Sequence, residues 1–114
     1  MILHTITLPT TDNAGRSTEY ALRNWQAIAV VLAGGFTRGC PETGAWLGSD
    51  NRLYSDITVT YRVACDRSDI WARLVAKAFE LFPDQLAIMH AEIGTATIAE
   101  RPKMPATLAY EAAE

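Results

Sequence analysis

From Leu53 to Cys65 the chain reads LYSDITVTYRVAC. Leu53, Ile57, Val59, Tyr61, Val63 and Cys65 share one parity, with Ser55 as the polar exception, while Tyr54, Asp56, Thr58, Thr60, Arg62 and Ala64 share the other. Strand side chains point to opposite faces in turn, so an alternation this long predicts one half-buried strand. Its sheet is expected to be covered on the Leu53–Cys65 parity and open on the Tyr54–Arg62 parity. The open face is where a working surface is expected.

Around this strand the remaining elements fall into place. Ile2, His4, Ile6 and Leu8 alternate in a first strand that Pro9 and the polar stretch TTDNAGRS end. Ser17 is expected to cap a helix over Tyr20 to Leu32, where Ala21, Trp25, Ile28, Ala29 and Leu32 recur at helical spacing and Gly34 supplies the left-handed stop. Thr43 to Leu47 reads as a short strand that turns through Ser49-Asp50-Asn51 into the long one, forming a hairpin. A second helix opens at Asp66 or Ser68, carries an apolar stripe of Ile70, Trp71, Leu74, Val75, Ala78, Phe79 and Phe82, and closes before Pro83. A last strand is expected within LAIMHAEIGTATIA, with a kink at Gly94. The order strand, helix, strand, strand, helix, strand predicts an α+β, ferredoxin-like βαββαβ fold: a four-stranded antiparallel sheet in the order 4-1-3-2 with two helices on one face. One domain over residues 1–100 and an extended C-terminal arm over 101–114 follow from a chain of 114 residues whose tail carries two prolines and little periodicity.

Second-half motifs carry a resemblance. Gly44 to Trp46, Tyr54 with Asp56, and Asp84 with Gln85 form a GxW…LYxD…LFxDQ pattern that resembles small uncharacterised bacterial and mobile-element proteins with a ferredoxin-like fold. That resemblance implies the fold and brings no catalytic residue with it. It also suggests an inhibitor of a host factor such as a bacterial defence complex.

Composition narrows the function classes. Ten Lys and Arg against thirteen Asp and Glu leave a formal charge of -3, and the basic residues are scattered, which argues against a nucleic-acid backbone as partner. An RNA-recognition sheet would also need stacking aromatics on its first strand, where the open face offers Leu3, Thr5 and Thr7. The run Ala27 to Ala33 is far short of the roughly 20 apolar residues of a membrane span. Cys40 and Cys65 lack metal-site spacing, and MILHTITLPT lacks the basic flank and cleavage site of a signal peptide, so a cytoplasmic chain with two free thiols is expected.

The histidines and the open face are the places where chemistry could sit. His4 and His90 would lie on neighbouring strands, but a pair falls short of the three or four ligands zinc requires, and each reads as a strand residue with one nitrogen hydrogen-bonded. No GxSxG, HExxH, P-loop or GxGxxG is present. No cofactor, metal or catalytic residue is assigned. Trp25 and Trp71 lie on the apolar helix stripes and are expected in the core. Trp46, in a glycine-rich hairpin strand, can anchor an interface, and with Tyr54, Asp56 and Arg62 makes up the expected partner-binding set. The leading expectation is a non-enzymatic interaction protein that binds a protein partner and forms a homodimer, through its sheet face, its edge or its tail. Two alternatives stand beside it: a small cofactor-independent enzyme of the dimeric ferredoxin-like barrel type, and a nucleotide-sequestering sponge using Arg62, Tyr54 and Trp46.

Overall fold

The computed structural model describes residues 1–102 and is α+β. Strand β1 (Ile2–Pro9) leads to helix α1 (Glu19–Ala33), the two-residue β2 (Thr37–Arg38), β3 (Glu42–Leu47), β4 (Leu53–Cys65), helix α2 (Ser68–Leu81) and β5 (His90–Thr95). All pairings are antiparallel, and the order runs β2-β4-β1-β5 with β3 also on β4. This is the expected 4-1-3-2 order with one strand more than expected. The extra strand comes from a break in the edge. Thr37 faces Arg62 and Glu42 faces Thr58, so five steps along the edge match four along β4, and the surplus residue in Gly39-Cys40-Pro41 bulges out. Gly39 makes the bulge tight: its N–H donates to Thr60 O at 2.9 Å, and a Cβ there would meet that oxygen at 3.2 Å.

The long alternation produces one strand in two environments. Val59, Tyr61, Val63 and Cys65 are buried beneath the helices, together with Ile6 and Leu8 of β1, whereas Leu53 and Ile57 on the same face are 74% and 53% exposed. The expectation that the helices cover Leu53 and Ile57 is therefore corrected. The parity holds, but the β3–β4 hairpin runs on past the helices, and nothing among the described residues covers its odd face. Cross-strand register places Leu47 opposite Leu53 and Thr43 opposite Ile57, so Leu47, 65% exposed, joins that uncovered ridge.

Helix α1 buries Leu22, Trp25 and Ala29 at i, i+3 and i+7. Trp25 lies 4.9 Å from Tyr61, and its Nε1–H donates to Leu74 O of α2 at 2.9 Å, so this fully buried side chain also ties the two helices together. Gly34 stops α1 in the left-handed conformation as expected, at φ 90°, and its N–H donates to Val30 O. Thr18, and not Ser17, is the residue before the helix. Its hydroxyl donates to Pro9 O instead of capping, while Ser17 Oγ accepts from Glu19 N–H at 3.2 Å. Helix α2 buries Ile70, Trp71, Leu74 and Ala78, but Phe79 turns outward at 42% exposure. Strand β5 is shorter than the expected run. Its pairing with β1 slips between Leu3 and His4, opposite Gly94, which takes φ 147°. No helix among the described residues is long and apolar enough to cross a membrane. From residue 103 onward, the arm expected over 101–114 lies outside the described residues.

Candidate functional site

The face of the sheet opposite the helices is assembled by register. Thr7 stands opposite Thr60 and Pro9 opposite Thr58 across β1 and β4, and the Thr7 and Thr60 hydroxyls hydrogen-bond at 2.9 Å. Thr58 and Thr60 thus lie on the open side as expected. Across β3 and β4 the same face carries Glu42, Gly44 and Trp46 opposite Thr58, Asp56 and Tyr54. Between the hairpin and the segment running from Gln85 to Met89 lies a concavity of about 450 Å³, floored by these threonines and walled by Trp46 and Met89. Its volume is within the range of small-ligand sites. Met89 O accepts from Thr7 N–H at 3.0 Å, which fixes this segment beside β1.

Trp46 and Tyr54 stack at 4.9 Å with their planes 19° apart. The Tyr54 hydroxyl donates to Asp50 in the hairpin turn, which raises the Tyr54 pKa and lowers that of Asp50. The same turn brings Asn51 to φ 63° and packs Gly48 so closely that a Cβ there would fall 2.9 Å from Tyr54 Cε2. The turn, the glycine and the tyrosine hydroxyl therefore hold the aromatic pair in one orientation. Sequence spacing places Trp46 and Tyr54 near each other. Their stacking emerges only from the register.

Asp56 is half-buried on the concavity floor, and neither its carboxylate nor that of Glu42 forms an ion pair or side-chain hydrogen bond among the described residues. Among the described residues these are the two charged ones lining the concavity, and no Lys, Arg or His joins them. Arg62 shares the face and stands opposite Thr5, but eight residues along the strand put it roughly 27 Å from Tyr54. The expected partner-binding set therefore divides: Trp46, Tyr54 and Asp56 are brought together, and Arg62 stands apart.

The remaining polar clusters belong to the scaffold. Arg38 pairs with both oxygens of Glu19 at 2.9 and 3.1 Å, donates to Gln26 Oε1, and lies over the Tyr61 ring, whose hydroxyl donates to the same Gln26 oxygen. Its hydrogen bonds lower the Glu19 pKa, and burial raises that of Tyr61. This cluster, which sequence reading missed, locks β2 to α1. Among the described residues, carboxylates held below their usual range are Asp12, by backbone N–H groups, Asp50, by Tyr54, and Glu19 and Asp69, by arginines; none of these four lines the concavity.

The two histidines meet on one tryptophan on the helix side. His4 is buried and stacks on Trp71 at 4.5 Å, while His90 meets the same ring edge-on at 6.2 Å. The buried Nδ1 of His4 has no hydrogen-bond partner among the described residues. No group of three His, Cys, Asp or Glu among the described residues could hold a metal ion.

No family model matches the chain, and no curated protein does. Solved structures do. The divalent cation tolerance protein Cut A1 from Thermus thermophilus aligns at TM-score 0.60 and 16% identity, over 84% of this chain and 86% of its own. CutA from Archaeoglobus fulgidus, described as a periplasmic divalent cation tolerance protein, gives 0.57 and 13%, over 87% of each chain. The divalent ion tolerance protein CutA1 from Ehrlichia chaffeensis gives 0.54 and 15%, over 84% of this chain and 83% of its own. Identities this low establish a common ferredoxin-like α+β fold and nothing finer.

Proposed function

We propose that this is a non-enzymatic binding protein that self-associates through its projecting hairpin and works through its open sheet face. The observation that carries the reading is the hairpin itself. A two-stranded ribbon is marginal in water, yet this one extends past the helices with Leu47, Leu53 and Ile57 exposed on one face and the Trp46–Tyr54 stack on the other. A second copy of the chain is the occupant that would bury the ridge wherever the protein is present, and a homodimer is the simplest closed assembly. Trp46, Tyr54 and Asp56 form the partner-binding surface, with Arg62 as a separate outlying contact. The open concavity, lined among the described residues by threonines, apolar side chains and no histidine, favours binding over acid–base chemistry. Its carboxylate lining disfavours the nucleotide sponge. The finer reading of an inhibitor of a host defence complex rests on the GxW…LYxD…LFxDQ resemblance and the formal charge of -3. The free thiols Cys40 and Cys65 support a reducing cytoplasm.

Light scattering over a concentration series tests the assembly. The expected mass is a multiple of 12.5 kDa at micromolar concentration. Leu53→Asp should shift it toward the monomer. A concentration-independent 12.5 kDa would overturn self-association.

A further inference from the structure

We propose that the notch at Gly44 on the open face binds a linear alkyl diammonium, with Asp56 and Glu42 as counter-ions and Trp46 as the wall for the alkyl chain. The proposal rests on the open face being the working surface and names the ligand class it takes.

The notch exists because Gly44 stands directly opposite Asp56 and offers no side chain. Backbone geometry does not demand a glycine there: the positive-φ glycines are Gly15, Gly34 and Gly94. A Cβ at Gly44 would meet only Thr58 side-chain atoms at 4.0 Å, so the position has room for one. Glycine in a strand interior weakens the strand, and a common reason for it is the close approach of a ligand. Here the missing side chain leaves Asp56 approachable across the sheet.

Charge then selects the ligand. Among the described residues the lining holds two carboxylates without ion-pair partners and no basic residue, so an anion is repelled and a cation is attracted. Partial burial of Asp56 strengthens that attraction over a fully solvated pair. Glu42 and Asp56 are diagonal neighbours on adjacent strands, and such positions lie about 7–8 Å apart. A compact divalent metal ion wants six or more oxygens converging on one point, which two diagonal carboxylates do not supply. Two ammonium groups joined by a short alkyl chain fit the spacing. The chain lies against Trp46 and Met89, and an ammonium passing over the indole gains a cation–π contact. Thr58 and Gln85 offer oxygen acceptors for the remaining N–H groups.

Butane-1,4-diammonium is the probe, titrated by calorimetry and by tryptophan emission. Trp25 and Trp71 are buried, so Trp46 is the indole that reports. Saturable binding at sub-millimolar concentration is expected, weakened at least tenfold by Asp56→Asn and by Gly44→Val and unchanged by Arg73→Ala on the exposed face of α2. Circular dichroism checks that each variant is folded. No saturable signal at millimolar probe, or equal affinity in folded Asp56→Asn, would overturn the site, as would tighter binding of magnesium ion or adenosine monophosphate. Light scattering on the same samples separates the two readings. Binding by a monomer supports the site and removes the assembly; an oligomer that does not bind removes the site alone.

Discussion

Val59→Ala and Ile57→Ala delete apolar carbon from the same face of the same strand, two positions apart, and the structure predicts unequal costs. Val59 is fully buried opposite Leu8, itself fully buried. Losing two methyl groups at about 0.8 kcal/mol each gives about 1.6 kcal/mol of transfer energy. The cavity left in a core whose neighbours cannot collapse raises the total to about 2–3 kcal/mol. Ile57 loses three carbons, but its side chain is 53% exposed, so only about half of the corresponding transfer energy is at stake, about 1 kcal/mol. Urea unfolding at low protein concentration, followed through Trp25 and Trp71, measures both with an unchanged slope against denaturant. At high concentration the ranking should change. If a second copy covers the ridge, the cost of Ile57→Ala grows with protein concentration while that of Val59→Ala does not, because only Ile57 contributes to the association equilibrium. Equal costs at low concentration would mean the helices cover the hairpin after all, and the two-environment account of β4 would be wrong.

Two further outcomes test the scaffold. Arg38 lowers the Glu19 pKa, so the folded chain holds that proton less tightly than the unfolded chain. Its contribution is present above the ordinary glutamate value and is lost as pH falls through the lower folded value. Glu19→Gln should therefore flatten the acid limb of a plot of melting temperature against pH, and parallel limbs for the two proteins would refute the link. His4→Phe keeps a ring on Trp71 and removes the unpartnered Nδ1, so stability should hold or rise by up to about 1 kcal/mol, with self-association within about threefold of wild type. Loss of association in folded His4→Phe, with Trp46→Ala unaffected, would point to the histidines as functional groups.

The elements are legible in the sequence to the extent that each carries its own local signal. Trp25 and Trp71 sit at helical spacing among apolar neighbours and are buried; Gly34 follows the last apolar residue of α1 and adopts the left-handed stop. Parity on β4 is equally readable, since Thr58 and Thr60 are on the open face. Coverage is not readable. Alternation reports which side chains share a face, and it cannot report how far along that face the helices extend. The bulge at Gly39 is hidden for a related reason: it is a mismatch between two strands and has no signature in either one alone. The site is half legible. Trp46 and Tyr54 stand out as aromatics flanking a turn, but parity groups Arg62 with them although the strand carries it away, and Gly44 is only part of a motif until register sets it opposite Asp56.

Strand β4 therefore joins two structures with different requirements. Its second half is an ordinary core strand, flanked by β1 and β2 and covered by α1 and α2. The first half has β3 as its main partner, and the ribbon they form must be stabilised by something other than a helix layer. On the open face its own side chains supply part of that stabilisation, through the Trp46–Tyr54 stack and the Tyr54–Asp50 hydrogen bond. On the ridge face, Leu47, Leu53 and Ile57 remain unmatched. A selection for stability alone would replace them with threonines or charges, as on the open face of the same strands. Three branched apolar residues on one side, with polar groups and a glycine notch on the other, fit a ribbon that has two jobs. On the proposed reading the ridge is the surface for a copy of the chain, and the notch is the surface left for a ligand.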